Sequence, residues 1–252
     1  MSFDFNLTFF ALVMFRLFGC IMFNPIFGRK NIPMPVRAGL VLVLTFLVCG
    51  AIPVQNVAID SLLIFVVTAI KEMLLGFLIG LIMRMFFAIV TVGGEAMDMQ
   101  IGLSMAKAYD PQSESNITVS TSVLNLMYML IFFTANGHYT LMRIFTELAT
   151  ILPYGSFTIE ISSFEQIFKL FSLILVYSVK MFLPVLAVEL VTEIGVGLLM
   201  KAVPQINVFI INLQLKVMLG LLTILLLVPT FAAFFDRMVE LMFDQIHNII
   251  GI

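Results

Sequence analysis

The sequence predicts an all-α fold of polytopic, membrane-associated helical hairpins with about six hydrophobic segments. Two observations predict it. Hydrophobic residues make up 62% of the chain and charged residues only 11%, whereas soluble globular domains carry about 25% charged residues. The apolar residues are also gathered into long runs, and a helix needs about 20 such residues to cross a bilayer core.

The runs lie at about 7–27, 36–54, 61–92, 117–148, 164–200 and 206–235. Asp4 is the only charge before Arg16 in the first run, so no positive leader region is present and a cleaved signal peptide is not expected. Pro33 and Pro35 separate the first two runs, and Pro53, Pro153 and Gly155 mark further turns. The stretch Val217–Phe235 carries no charge; at a helical rise of about 1.5 Å per residue it spans roughly 28 Å, enough for a bilayer core. Arg29, Lys30 and Lys107 fall in the first and third connections, Arg37 and Lys201 lie at neighbouring helix ends, and Arg237 lies beyond the last run. The positive-inside rule then places both termini outside the cytoplasm.

Charge inside the runs is the unusual feature. Arg16, Lys71, Glu72, Lys180, Glu189, Glu193 and Lys216 sit mid-segment, where each costs about 2.5 to 3.5 kcal/mol on insertion scales and is expected to face protein or water. Two stripes follow i+4 spacing. Glu72, Gly76, Gly80 and Arg84 put a G-x-x-x-G between an acid and a base, a pattern that admits a neighbouring backbone, in this chain or in another subunit. Glu189, Glu193, Gly197 and Lys201 form the second; its two carboxylates one turn apart suit a partner subunit's cation, a water-lined surface or a proton relay.

A polar stretch, Gly93 to Asn116, interrupts the third segment. Inside a membrane such backbone needs protein or water for its hydrogen bonds. Gly102 frees the backbone at the end of the preceding segment, Asp110-Pro111 disfavours a helix, and Gln112, Ser113, Glu114, Ser115 and Asn116 are too polar to face lipid. Of the 18 methionines, Met97, Met99 and Met105 lie in this stretch and offer pliable packing for a seal.

Enzymatic chemistry is absent from the pattern. No H-E-x-x-H, G-x-S-x-G, Walker or G-x-G-x-x-G motif occurs. Tyr109-Asp110 matches half of an intramembrane aspartyl protease site, but the complementary G-x-G-D is missing. His138 and His247 stand apart, and Cys20 and Cys49 are isolated in apolar runs, so no metal, cofactor or disulfide is expected. The net charge of −2 argues against a nucleic-acid partner.

Three stretches stand out in order: Gly93-Gly94-Glu95-Ala96-Met97-Asp98-Met99-Gln100-Ile101-Gly102-Leu103-Ser104-Met105-Ala106 with Asp110-Pro111, then Asn136-Gly137-His138, then Val203-Pro204-Gln205-Ile206-Asn207-Val208-Phe209 with Leu215-Lys216. Together they resemble the FliR family of flagellar export-gate proteins, called SctT in virulence injectisomes. Pro25, Arg37-Ala38-Gly39-Leu40 and Gly76-Phe77 extend the likeness over nearly the whole chain. The resemblance implies a single FliR-like domain, about 1–160 similar to FliP and about 161–252 to the FliQ hairpin. It implies a non-enzymatic subunit of the type III export gate in the bacterial inner membrane at the flagellar basal body. Its implied partners are FliP-like, FliQ-like, FlhB-like and FlhA-like proteins, unfolded export substrates and membrane lipid.

On this reading, Met105, Ala106, Lys107, Ala108, Tyr109, Asp110, Pro111, Gln112, Ser113, Glu114, Ser115 and Asn116 form a plug in the pore. An ordinary cytoplasmic loop is the alternative. Subunit contacts are expected at Glu72, Gly76, Gly80, Arg84, Glu189, Glu193, Pro204, Gln205, Asn207 and Lys216. An ion-coupled secondary transporter and the injectisome counterpart of the gate are the competing functions; a transporter favours a second interrupted segment in the other half, which the sequence lacks.

Overall fold

The computed structural model describes residues 6–29, 31–55, 57, 61–104, 118–157, 161–202 and 208–250, with backbone only at 161–164 and 208–210. Among the described residues there are seven helices and no strands: α1 (Leu7–Phe23), α2 (Met34–Ala51), α3 (Leu62–Ile101), α4 (Val119–Thr134), α5 (Gly137–Ile151), α6 (Ile161–Ala202) and α7 (Val208–Ile250). The all-α membrane class is therefore observed. Four described helices are long and apolar enough to cross a membrane: α2, α3, and the stretches Glu165–Ala202 of α6 and Ile211–Ile250 of α7.

Three expected boundaries change. The run at 117–148 is two helices, because Asn136 takes a left-handed backbone at φ 57°, which residues other than glycine seldom adopt and Asn tolerates best. The last run continues to Ile250. Beyond the charge-free stretch α7 stays helical as an amphipath, with Val239, Met242, Phe243, Ile246 and Ile249 buried and Glu240 and Asp244 exposed. Thirdly, the interruption expected from Gly93 begins only at Gly102, since α3 runs through Gly93 and Gly94 to Ile101. The two glycines serve close packing there. A Cβ at Gly94 would lie 2.8 Å from the Thr121 hydroxyl oxygen, and one at Gly93 would lie 3.2 Å from Met181 Sδ.

The chain forms two compact units. The first comprises Met1–Phe86, Phe132–Leu170 and Val239–Ile252. Asn6 caps α1, its side-chain oxygen accepting from Thr8 N–H at 3.1 Å and Phe9 N–H at 3.3 Å. α1 packs on α2 and crosses α3 backbone to backbone. A Cβ at Gly76 would fall deep inside the Arg16 carbonyl oxygen, one at Gly80 would lie 2.8 Å from Cys20 O, and one at Gly19 would lie 2.9 Å from Phe77 N. Small residues on both helices permit this approach.

That crossing sets Arg16 beside Glu72, Nε to Oε2 at 2.6 Å, with both side chains fully buried. The chain after α5 closes over the pair. Glu72 Oε1 accepts from Gly155 N–H at 2.8 Å, and the Arg16 guanidinium lies 3.9 Å from the Tyr154 ring centroid. Burial pushes the Tyr154 hydroxyl up to about 12, with Arg16 drawing it down and Glu72 raising it, so the ring under the guanidinium is neutral at physiological pH. Gln55 completes the closure, donating to Ala149 O at 2.6 Å and accepting from Tyr154 N–H at 2.9 Å.

The second unit comprises Phe87–Ile131 and Phe171–Met238. Its core holds Tyr128 between Phe87 and Phe235, at ring-centroid distances of 4.5 and 5.3 Å. Asn125 donates to the Thr91 hydroxyl at 3.3 Å, tying α4 to α3.

Candidate functional site

The segment expected to act as a plug, Met105 to Asn116, lies outside the described residues, but both of its flanks are defined. Both converge on Asp98 in the last turn of α3. Its carbonyl accepts from Gly102 N–H at 3.1 Å and Ser104 N–H at 3.3 Å. Gly102 turns the chain there with φ +93°, a conformation that favours glycine. Its carboxylate Oδ2 accepts from the Thr118 hydroxyl, the Thr121 N–H at 3.2 Å and the Thr121 hydroxyl at 2.9 Å. Asp98 is fully buried, and its Oδ1 has no hydrogen-bond partner among the described residues.

A second charged group sits between α6 and α7. Glu193, partly exposed, is paired with Lys216, which is mostly covered. One turn earlier on α6, Glu189 is fully buried, with neither carboxylate oxygen hydrogen-bonded to any of the described residues. Gly220, one turn beyond Lys216, makes room for it; a Cβ there would lie 2.9 Å from Glu189 Oε1 and closer still to Ile101. A buried carboxylate without a donor is unfavourable. Glu189→Gln is accordingly expected to leave the thermal stability of the purified protein unchanged or to raise it by up to about 1–3 kcal/mol. A loss above roughly 1 kcal/mol in a melting curve would contradict the unpartnered geometry.

The model of the bacterial export proteins, family 1, matches residues 7–242. The chain belongs to this family of bacterial export proteins. It is 29% identical to the flagellar biosynthetic protein FliR of Escherichia coli K12 over 246 residues, covering 98% of this chain and 93% of the relative. The FliR of Bacillus subtilis is 25% identical over 248 residues, with 96% and 95% covered. That of Aquifex aeolicus is 28% identical over 215 residues, with 85% and 83% covered.

In this export protein the other expected residues have distinct settings. Glu72, Gly76 and Gly80 are engaged within the chain, against Arg16 and α1. Arg84 is exposed on α3, and Lys180 is exposed on α6 with its ammonium 4.8 Å from the Tyr177 ring. Met97 is fully buried and Met99 is 70% exposed, so the methionines flanking the segment do not share one environment. Pro204, Gln205 and Asn207 lie outside the described residues. Among the described residues no His, Cys, Asp and Glu side chains cluster as a metal site.

Sequence reasoning missed Asp98, Thr118, Thr121 and Tyr154. A Thr-x-x-Thr pair at the return from a polar stretch marks a helix start, and that signal was available for Thr118 and Thr121. Nothing local connects them to Asp98.

Proposed function

We propose that this chain is a non-enzymatic subunit of the flagellar type III export gate in the bacterial inner membrane. It assembles with FliP-like and FliQ-like subunits, contacts FlhB-like and FlhA-like proteins, and contributes to the pore through which unfolded flagellar proteins leave. Residues 105–116 fill that pore at rest. The observation that carries the reading is charge on the outer surface of apolar helices. Arg84 and Lys180 are exposed in α3 and α6, both apolar enough to span a membrane, and lipid does not solvate such groups cheaply. Large apolar side chains such as Val179, Leu183, Val191 and Ile194 are also exposed along α6, as expected of a surface covered by other protein subunits. The full-length likeness to flagellar FliR proteins supports the same assignment.

The 1–160 part is FliP-like and the 161–252 part FliQ-like in this reading. The exposed Glu193, Arg84 and Lys201 are assigned to contacts with other subunits in this reading, and Pro204, Gln205 and Asn207 are assigned to the same role from the sequence. One observation favours an ion-coupled transporter instead: the buried, unpartnered Glu189 resembles an intramembrane ion or proton site. Gentle detergent extraction separates the two, since a gate subunit co-purifies in a large hetero-oligomer and a transporter as a monomer or small homo-oligomer.

Pore filling has its own test. Shortening Ala106 to Asn116 is expected to leave the co-expressed complex assembled while raising ion or small-molecule leak across vesicles that contain it. Normal assembly with an unchanged leak rate would return this segment to the status of an ordinary loop.

A further inference from the structure

We infer that Glu189, Glu193 and Lys216 form a group one cation short of balance, completed by a basic side chain on a helix of a neighbouring gate subunit, which pairs with Glu193 and sends Lys216 to Glu189. The inference rests on the gate reading above, which supplies the neighbouring subunit. Glu189 and Glu193 are one turn apart on α6, as are Lys216 and Gly220 on α7. Lys216 faces Glu193, so Gly220 is what Glu189 meets. Glycine has no side chain to donate, and its N–H is spent within the helix. Among the described residues neither Glu189 oxygen has a hydrogen bond, and the charged groups acting on this carboxylate are Lys216 and Glu193. Ile101, which α3 contributes at this point, is apolar.

One ammonium therefore serves two carboxylates, and neither can be left without it. Glu189 is fully buried, where an unpaired charge is costly. Glu193 is 43% exposed, but its surroundings are apolar. Leu190 and Ile194, beside it on α6, are 46% and 65% exposed in a helix apolar enough to span a membrane. That face meets lipid or protein, and a lone carboxylate is expensive there too. The other described cations of this part of α6 are placed elsewhere: Lys180 lies over the Tyr177 ring, and Lys201 is two turns beyond Glu193.

The same face leaves room for the source of the missing charge. Gly76, Gly80, Gly93 and Gly94 of α3 and Gly220 of α7 each stand against a neighbour within the chain, whereas nothing lies within 4 Å of the Cβ positions of Gly195 and Gly197 on α6. Gly197 is one turn from Glu193 on the same face, so a neighbouring helix can approach closely beside the carboxylate. A lysine ammonium is a compact charge on a flexible four-carbon stem, and its two acceptors are one turn, about 5.4 Å, apart along α6. Once an outside cation holds Glu193, Lys216 swings to Glu189 and each carboxylate has a partner. Docking then relieves a buried defect, which ties assembly to a change inside the subunit.

The test measures each variant twice, as the purified chain and as the complex recovered by gentle detergent extraction after co-expression with the other gate subunits. Glu193→Gln is expected to lower recovery of the complex on the order of ten-fold. The melting temperature of the purified chain barely moves, because Lys216 is then free to turn to Glu189. Glu189→Gln gives the sharper sign: it leaves the purified chain as stable or more so, yet lowers complex recovery several-fold, since Lys216 now competes with the incoming cation for Glu193. Lys216→Met lowers recovery as well, by stranding Glu189. Combining it with Glu189→Gln restores most of the parent yield, because one carboxylate and one outside cation remain. Normal recovery with Glu189→Gln overturns the exchange, and normal recovery with Glu193→Gln overturns the docking. Losses of equal size in the chain expressed without other gate subunits place the cation in lipid headgroups and overturn the proposal too. A parent chain that enters no hetero-oligomer removes the gate reading, and this proposal with it.

Discussion

Replacing Arg16 by methionine is expected to destabilise the chain by about 3–5 kcal/mol, the usual cost of stranding one member of a buried ion pair. Folded proteins hold only about 5–15 kcal/mol in all, so the variant should accumulate poorly and enter few complexes. The reason lies in what remains. Glu72 would keep the Gly155 N–H at 2.8 Å but lose its ion-pair partner, the one cation paired with it among the described residues, in a site with no solvent exposure. Leu152 and Tyr154 would lose their common anchor as well, since Arg16 donates to Leu152 O and lies over Tyr154. Adding Glu72→Gln should restore more than half of the loss, because the amide is neutral and still accepts from Gly155. Thermal unfolding of the detergent-purified single and double variants measures both numbers. If Arg16→Met costs under about 1 kcal/mol, the pair is no more valuable than a surface ion pair. If the double variant is no better than the single, the packing of Arg16 matters and its charge does not.

This pair shows what the sequence displayed and what it concealed. Arg16 and Glu72 stand out as charges in apolar runs, and the physics of lipid demands that each find protein or water. Their mutual pairing, across 56 residues, follows from the α1–α3 crossing, and no local pattern reports a crossing partner. The glycines carried part of the message. Gly76 and Gly80 were readable as a face for close backbone approach, and the structure supplies α1 as the neighbour. The polar stretch beginning at Gly93 reads as an interruption, yet its glycine pair lies inside α3, because glycine signals both weak helix and close packing. Thr121 and Met181, which make the second meaning apply, are distant in sequence. Asp98 was hidden for the same reason: a carboxylate at a helix end becomes a cap for another helix only once the chain has returned. The apolar runs, by contrast, needed no tertiary information, because their length and composition alone restrict them to helices in a membrane setting.

The second large effect is expected at Gly76, where a single methyl group should be as damaging as loss of the ion pair. Alanine is ordinarily the better helix residue, by about 1 kcal/mol over glycine. At Gly76 that gain is overwhelmed, because the new Cβ would overlap the Arg16 carbonyl and sit 2.9 Å from Cys20 N, and both neighbours are helix backbone that cannot rotate away. The two helices must separate, and separation pulls Arg16 from Glu72 and opens the packing of Leu12, Leu17, Leu75 and Ile79, all essentially without solvent exposure. Overpacking costs typically about 1–3 kcal/mol even when side chains yield; with backbone on the far side and a buried ion pair displaced, a total of about 4 kcal/mol or more is expected. Gly195 on α6 provides the internal control, since nothing lies within 4 Å of its Cβ position. Gly195→Ala should therefore leave the melting temperature of the purified chain unchanged or raise it slightly. Equal melting temperatures for Gly76→Ala and the parent protein would show that α1 and α3 can slide apart at no cost, and the placement of Arg16 against Glu72 would then need a cause other than the glycine crossing.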